Sequence, residues 1–393
     1  MSMLEKNQQD YLYMLRTAVR GEHLDKNRVD GMNLEEIFHT SLSQTHSVMF
    51  YQCFLDSGLK LPEKISKRCQ NEMNHGIHRE ALMNVERERI YEFMDREGIW
   101  HCPLKGIVLQ PLYPMLGMRY SADNDILIDA KGCKKLRDFM KKRGYRVLEY
   151  GGSHHDSYVK NPSYHFEFHR RLLSHLLLGN SAMKYFENIE DRLLRDEKNS
   201  FHRQLTNEDF YLHMIIHMYM HYTATGTGLR SLVDIYYYRK AYNVDDAYVR
   251  GKLEEFGIAE FEKTAVMLTG KLFDDYSEVP EGNYNTDIST SFTAQELEML
   301  DYLFSSGACG SHEIYAANMF EQCRKRSKTM WGARIRYVWM RLFPSMDYYK
   351  IDHPTLYRFK ILIPFFWIYR LFRAIFAHKP TRELTVIKGE KQE

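Results

Sequence analysis

Paired cysteines, long apolar runs and net charge are all missing from this 393-residue sequence, and each absence closes off a class of protein. The six cysteines (Cys53, Cys69, Cys102, Cys133, Cys309 and Cys323) are scattered. They form no C-x-x-C pair and no spacing of a zinc site or disulfide framework, which points to a reducing compartment. No span of about 18 apolar residues occurs. The opening MSMLEKNQQDYLYML puts acidic and amide residues where a secretory signal needs an unbroken apolar stretch, so a cytoplasmic location is expected. Lys plus Arg number 54 against 52 Asp plus Glu, a formal charge of +2, so bulk charge selects no partner. What is present is 44% hydrophobic and 14% aromatic residues, enough to close real cores in a chain of two or three domains.

From Asp10 to Glu97 the apolar residues recur at three and four spacings, with short breaks expected at Gly21, Gly31, the Gly58 to Pro62 turn and Gly76. This is a helical region, spanning residues 1–98. Within it His78 to Met94 predicts a helix with Leu82, Val85, Ile90, Tyr91 and Met94 along one side, packed on the segment that follows. Over 99–180 the pattern becomes short apolar runs between helical stretches: WHCPL, a helix from about Gly106, DILID, a helix over Lys134 to Arg143, YRVLEY and YHFEFH. That alternation predicts a small α/β core. Residues 181–393 return to helical spacing, with helices expected to about Arg239, over Ala247 to Phe273 and over Ala294 to Ser305, and a polar loop from Asp274 to Thr293.

The chemistry concentrates in LKGIVLQPLYPMLGMRYSADNDILID, Leu104 to Asp129. Asp123 and Asp125 stand two apart on an extended run, so both carboxylates face one way and can share a divalent ion. Hard oxygen ligands suit Mg²⁺ or Mn²⁺. A third carboxylate comes from the alternating run Tyr164 to His169, which puts His165, Glu167 and His169 on one face. Glu167 is the candidate third metal ligand or general base, and His169 would orient it or touch phosphate. Upstream, the Lys105-Gly106 turn suits phosphate approach, and Arg119 offers a fork of donors to phosphoryl oxygens. A lone D-x-D is common; the joint spacing of Lys-Gly, Arg and Asp-x-Asp before an apolar strand is hard to explain as packing.

The run K-G-x2-L…Y-P…R-x3-D-x-D-x-L-I followed by E-F-H-R-R-L resembles a bacterial nucleotidyltransferase family of the polymerase-β-like superfamily. HMIIHMYMHYTATGTGLRSLVDIYYYRK and FPSMDYY…HPTLYRFKILIPFFWIYRLFR extend the resemblance over most of residues 80 to 376. It implies an α+β fold, a small mixed sheet with helices flanked by helical regions. It also implies that Asp123 and Asp125 match the metal carboxylates and Glu167 the later acidic position. Two departures stand out: Lys105-Gly106 replaces the superfamily's usual Gly-Ser, and Asn124 is polar where the intervening residue is commonly apolar.

His213, His217 and His221 form one stripe on a helix, but its ends lie about 12 Å apart by helical rise, too far for one ion. They are expected to line the cleft or pack in the core. Gly226 and Gly228 would let the backbone approach a ligand, with Arg230 either facing phosphate or pairing with Asp234 four residues on. Between Arg324 and Lys379 thirteen Lys and Arg oppose two Asp. That basic segment reads as a peripheral membrane contact, as an RNA or phosphorylated-acceptor site, or, the favoured reading, as a buried terminal helix beginning near Pro364. The expectation is metal-dependent transfer of an NMP from an NTP to a hydroxyl acceptor (small molecule, protein or RNA) with release of pyrophosphate. The alternatives are a metal-dependent phosphohydrolase and a non-catalytic nucleotide-binding or membrane-associated module.

Overall fold

Helix α1 (Lys6–Arg20) stops at Gly21, whose φ of 68° suits a residue without a side chain. After it come α2 (Lys26–Val29), α3 (Leu34–Ser43) and α4 (Ser47–Asp56), and then α5, a single 34-residue helix over Glu63–Arg96. The structure, a computed structural model, describes residues 4–151, 154–173, 180–274, 292–308, 310–344, 346, 349 and 354–376. Gly76 does not break the helical region as its residue type suggested. It lies inside α5, where a Cβ would come 3.0 Å from the Gly117 carbonyl oxygen, so the glycine serves the close approach of the 113–118 loop.

The sheet is five-stranded, in the order β1-β2-β5-β4-β3. Its strands are β1 (His101–Pro103), β2 (Asn124–Ile128), β3 (Arg146–Glu149), β4 (His155–Lys160) and β5 (Tyr164–His169), with β2 and β5 parallel and the other pairs antiparallel. Between strands lie α6 (Lys105–Leu109) and α7 (Cys133–Lys142). Strand alternation gives the sheet two faces. Ile126, Ile128, Phe166 and Phe168 pack with Met83, Ile90 and Met94 of α5 and Leu136 and Met140 of α7 in a core of their own. Asp125, Leu127, Glu167 and His169 alternate with them. This is the expected α+β architecture, with the helix over 78–94 packed on the sheet as anticipated. Its buried line differs in detail: Val85 is exposed, and the core side carries Glu86.

Beyond the sheet come α8 (Asn180–Phe186), a two-stranded ribbon of β6 (Leu194–Arg195) and β7 (Arg203–Gln204), then α9 (Asn207–Thr223), α10 (Arg230–Ala241), α11 (Asp246–Phe256), α12 (Ala259–Phe273), α13 (Ala294–Ser306), α14 (His312–Lys325) and α15 (Met330–Leu342). The ribbon interrupts what the sequence suggests is continuous helix. The expected loop from Asp274 to Thr293 lies mostly outside the described residues. Helices α1, α3, α4, α9, α10, α12 and α13 share the larger core. Strand β4, not anticipated, hides because its buried residues include Asp156 and Ser157. Arg170 and the Gly151 amide satisfy Asp156.

The C-terminal expectation needs correction. The helix Ile363–Phe376 does begin beside Pro364, but it is not buried: Phe365, Ile368, Tyr369 and Phe372 are all exposed. Among the described residues no helix is long and apolar enough to cross a membrane.

Glu86 locks α5 to α7 and β3. It is buried and accepts from Arg143 Nε and Nη2, at 2.6 to 3.0 Å, and from the Tyr145 hydroxyl at 3.1 Å. Removing one partner of a buried ion pair costs about 3 kcal/mol. Glu86→Ala should therefore lower the urea-unfolding free energy by about that amount; an unchanged midpoint would mean that this joint carries no stability.

Candidate active site

Pairing of β2 with β5 sets Asp125 directly opposite Glu167 and Leu127 opposite His169. Ligand atoms of Asp125, Glu167 and His169 lie within 4.8 Å of one another, and so do those of Asp123, His165 and Glu167. Glu167 thus belongs to both groups. Asp123 stands just before β2, half-buried, whereas Asp125 is only 3% exposed. The strand begins at Asn124, whose polarity has its own cause: it is buried on the opposite face, where Arg87 of α5 donates to its Oδ1 at 2.9 Å.

A buried carboxylate needs partners. Lys105 Nζ donates to Asp125 Oδ1 at 3.0 Å, and His169 Nε2 donates to the same oxygen at 2.6 Å. Burial opposes ionisation of Asp125, but Lys105 and His169 outweigh it and hold the carboxyl well below the usual range. Burial and then the neighbouring Asp125 raise Asp123. Burial, with Asp125 and Asp123 close by, pushes Glu167 up to about 8. His169 is kept neutral by its burial. Donation through Nε2 leaves its buried Nδ1 as an acceptor with no hydrogen-bond partner among the described residues. Lys105 itself sits at φ 42°, a conformation side chains seldom adopt, at the point where β1 turns into α6.

The segment 119–123 that delivers Asp123 is pinned on several sides. Arg119 makes a two-pronged bond to Asp234 of α10, at 2.7 and 2.8 Å, and the Tyr113 hydroxyl donates to the same carboxylate at 2.8 Å. Arg79 donates to the Tyr120 hydroxyl and the Ala122 carbonyl, and Arg230 to the Tyr120 carbonyl at 3.0 Å. Asp234 therefore pairs with Arg119 and not with Arg230, its neighbour one turn back. Gly106 packs under this segment, since a Cβ there would collide with Ser121 Oγ. Gly228 has a comparable cause: a Cβ would meet the Gln44 side chain and come 2.8 Å from the Ala308 amide nitrogen. These glycines answer to packing before any ligand.

Above the carboxylates opens a cavity of about 430 Å³, within the range of small-molecule sites. Lys105, Gly106, Arg119, Asp123, Asp125 and Glu167 line one side. His213, His217 and His221 of α9, with Thr227 and Arg230, line the other. The stripe thus faces the cleft, as expected. Burial holds His213 down to about 3, and His217 shares a 3.1 Å hydrogen bond with the exposed His221. Of the residues singled out from the sequence, Lys105, Gly106, Arg119, Asp123, Asp125, Glu167 and Arg230 meet at this cavity, and His169 stands behind Asp125. Three contributors were missed. Asp234 had been read only as a local ion pair; His154 and His155, beside His169, belong to the unanticipated β4. The Asn161-Pro162 pair between two arms of equal length was the signal for that hairpin.

A small mixed sheet carrying one carboxylate on a strand, a second just before it and a third on the parallel neighbour, flanked by helices, is the core of a nucleotidyltransferase-type protein. The chain belongs to the family described as an uncharacterised nucleotidyltransferase, whose profile matches residues 33–274, more than half its length. No curated protein and no solved structure matches it.

Buried neutral histidines make a pH prediction. Burial holds His46, His154 and His213 at about 3 and His101 and His155 at about 4. The unfolded chain takes up these protons near pH 6.5 and the folded chain does not, so their contribution is complete above about pH 6.5 and lost as pH falls towards 4. Carboxylates raised in the fold act in the opposite direction, Glu167 at about 8 and, with no such large shift, Asp10, Glu80, Asp123, Asp156 and Glu262. The urea midpoint should accordingly be lower at pH 5.5 than at pH 7.5. Equal midpoints would contradict the neutral assignment.

Proposed function

We propose that the protein transfers a nucleoside monophosphate from an NTP to a hydroxyl acceptor and releases pyrophosphate. The observation that carries this reading is the in-register pairing of Asp125 with Glu167 at the floor of the cleft, with Asp123 at its entrance. The residues fit a divalent cation: burial and then the neighbouring Asp125 and Asp123 raise Glu167, a repulsion that positive charge relieves, and His165 and His169 add imidazole nitrogens. Asp123, Asp125 and Glu167 would hold Mg²⁺ or, given those imidazoles, Mn²⁺, which when bound supplies charge against the triphosphate and acidifies the attacking hydroxyl.

The chain's own groups take the remaining roles. Glu167 accepts the proton as the acceptor oxygen bonds to the α-phosphorus, and the bond from that phosphorus to the pyrophosphate oxygen breaks in line. Lys105 holds Asp125 and faces the phosphates as a cation, with Arg230 on the opposite wall. Arg119, whose fork is committed to Asp234, acts as a positioning residue for the loop that carries Asp123. The neutral histidines of α9 supply hydrogen bonds that suit an uncharged hydroxyl.

Incubation with α-labelled NTPs and fractionated lysate should give a labelled acceptor and pyrophosphate in equal amounts; release of inorganic phosphate alone would select a phosphohydrolase. Asp123→Asn and Asp125→Asn should each reduce labelling by about 10³-fold or more. Their stabilities should diverge. Asp123→Asn removes repulsion and should leave the melting temperature of the metal-free protein unchanged or higher, whereas Asp125→Asn strips Lys105 of its ion pair and should lower it. Full turnover by Asp125→Asn would rule the mechanism out.

A further inference from the structure

Helix α15 and the helix Ile363–Phe376 lie side by side, with the Phe343 and Trp367 rings 5.1 Å apart and Arg370 donating to the Arg341 carbonyl at 2.7 Å. Each leaves an apolar stripe in solvent. On α15 the stripe is Trp331, Ile335, Val338 and Trp339, at helical spacing, with Trp331 72% exposed. On the second helix it is Phe365, Ile368, Tyr369 and Phe372, with Phe365 67% exposed, and Ile361 just before it is 80% exposed. Contiguous exposure of large apolar side chains is uncommon in a free monomer and marks a surface that something covers.

Charge selects among the coverings. Lys325, Arg326, Lys328, Arg336, Arg358 and Lys360 are exposed on the same segment, and between Arg324 and Lys379 the sequence has only Asp347 and Asp352 to oppose its basic residues. A second copy would set basic against basic. RNA would accept the charge, but not the exposed Ile335, Val338, Ile361 and Ile368, which offer neither stacking planes nor hydrogen bonds. A bilayer with anionic headgroups accepts both, taking apolar side chains and tryptophans into its interface and basic residues at its surface. The length agrees: 14 residues span about 21 Å, short of the roughly 30 Å hydrocarbon core, so such a helix lies in the interface.

We infer that this two-helix surface docks the protein peripherally on an anionic lipid bilayer. The segment lies outside residues 33–274, which the family profile matches. It is also tied to the rim of the cleft. The Ser311 amide donates to the Thr225 carbonyl at 2.9 Å, and Asn318 of α14 donates to the Ala224 carbonyl at 2.9 Å, between cleft-lining His221 and Thr227.

The test is co-sedimentation of the full chain with vesicles of phosphatidylcholine containing phosphatidylglycerol, against phosphatidylcholine alone, with tryptophan emission as a second readout. Anionic vesicles should pellet about tenfold more protein and shift emission to the blue, and added salt should weaken the binding. Trp339→Asp/Phe365→Asp, both at exposed positions, should abolish pelleting at an unchanged urea midpoint. The inference is overturned by equal pelleting with neutral vesicles, by undiminished pelleting of the double variant, or by absence of vesicle binding. In that last case capture of single-stranded RNA, or a dimer that the same substitutions disperse, would identify the true covering.

Discussion

Parallel pairing of β2 with β5 is the constraint on which the cleft depends. Strand residues alternate between faces, so a slip of β5 by one residue would turn Glu167 into the packed layer and bring Phe168 out to the cleft beside Asp125. The register is held from the other side, by Ile126, Ile128, Phe166 and Phe168 against α5 and α7 and by Arg87 on Asn124. Apolar packing on one face thus fixes the spacing of charges on the other. The long α5 is part of this site although none of its residues lines the main cavity.

The charges themselves are unevenly compensated. Asp125, the most buried of the three cleft carboxylates, has both Lys105 and His169 on one oxygen. Asp123 and Glu167 share what remains of that positive charge and are both raised. Such a site is poorly balanced alone and is kept in place by bonds made elsewhere. Arg119 and Tyr113 on Asp234 fasten the segment leading to Asp123 to α10, so the helical wall and the carboxylate wall are joined through one buried ionic contact.

What the sequence made legible follows from the range over which each signal acts. The strand carrying Asp125 and the alternating run around Glu167 are local patterns, and so were the helices whose apolar residues repeat every turn. Asp234 meets Arg119 across 115 positions, and no spacing rule reaches that far. Strand β4 was lost because polar Asp156 and Ser157 are buried with partners of their own, which erases the alternation. Gly76 misled for a related reason: glycine marks either a break or a close approach, and only the arrival of Gly117 distinguishes them. At the C-terminus apolar spacing identified a helix correctly, yet spacing alone cannot tell a face turned to a core from one turned outward.

The two walls of the cleft differ in kind, and the difference bears on the proposed transfer. One wall holds a half-buried lysine, one acidic position just before β2, one on it and a third on β5, groups whose spacing leaves little latitude. The facing helix α9 presents Met214, His217, Met218 and His221, with His217 held neutral by burial. Methionine adapts its shape at little cost, and a neutral imidazole donates or accepts as required. A charged, rigid wall suits a partner as uniform as a triphosphate; a neutral, adaptable wall suits the partner that varies. The legible half of the site is therefore the half whose chemistry fixes its residues, and under the proposed transfer specificity for the acceptor would reside in α9 and the loop from Ala224 to Gly228 that follows it.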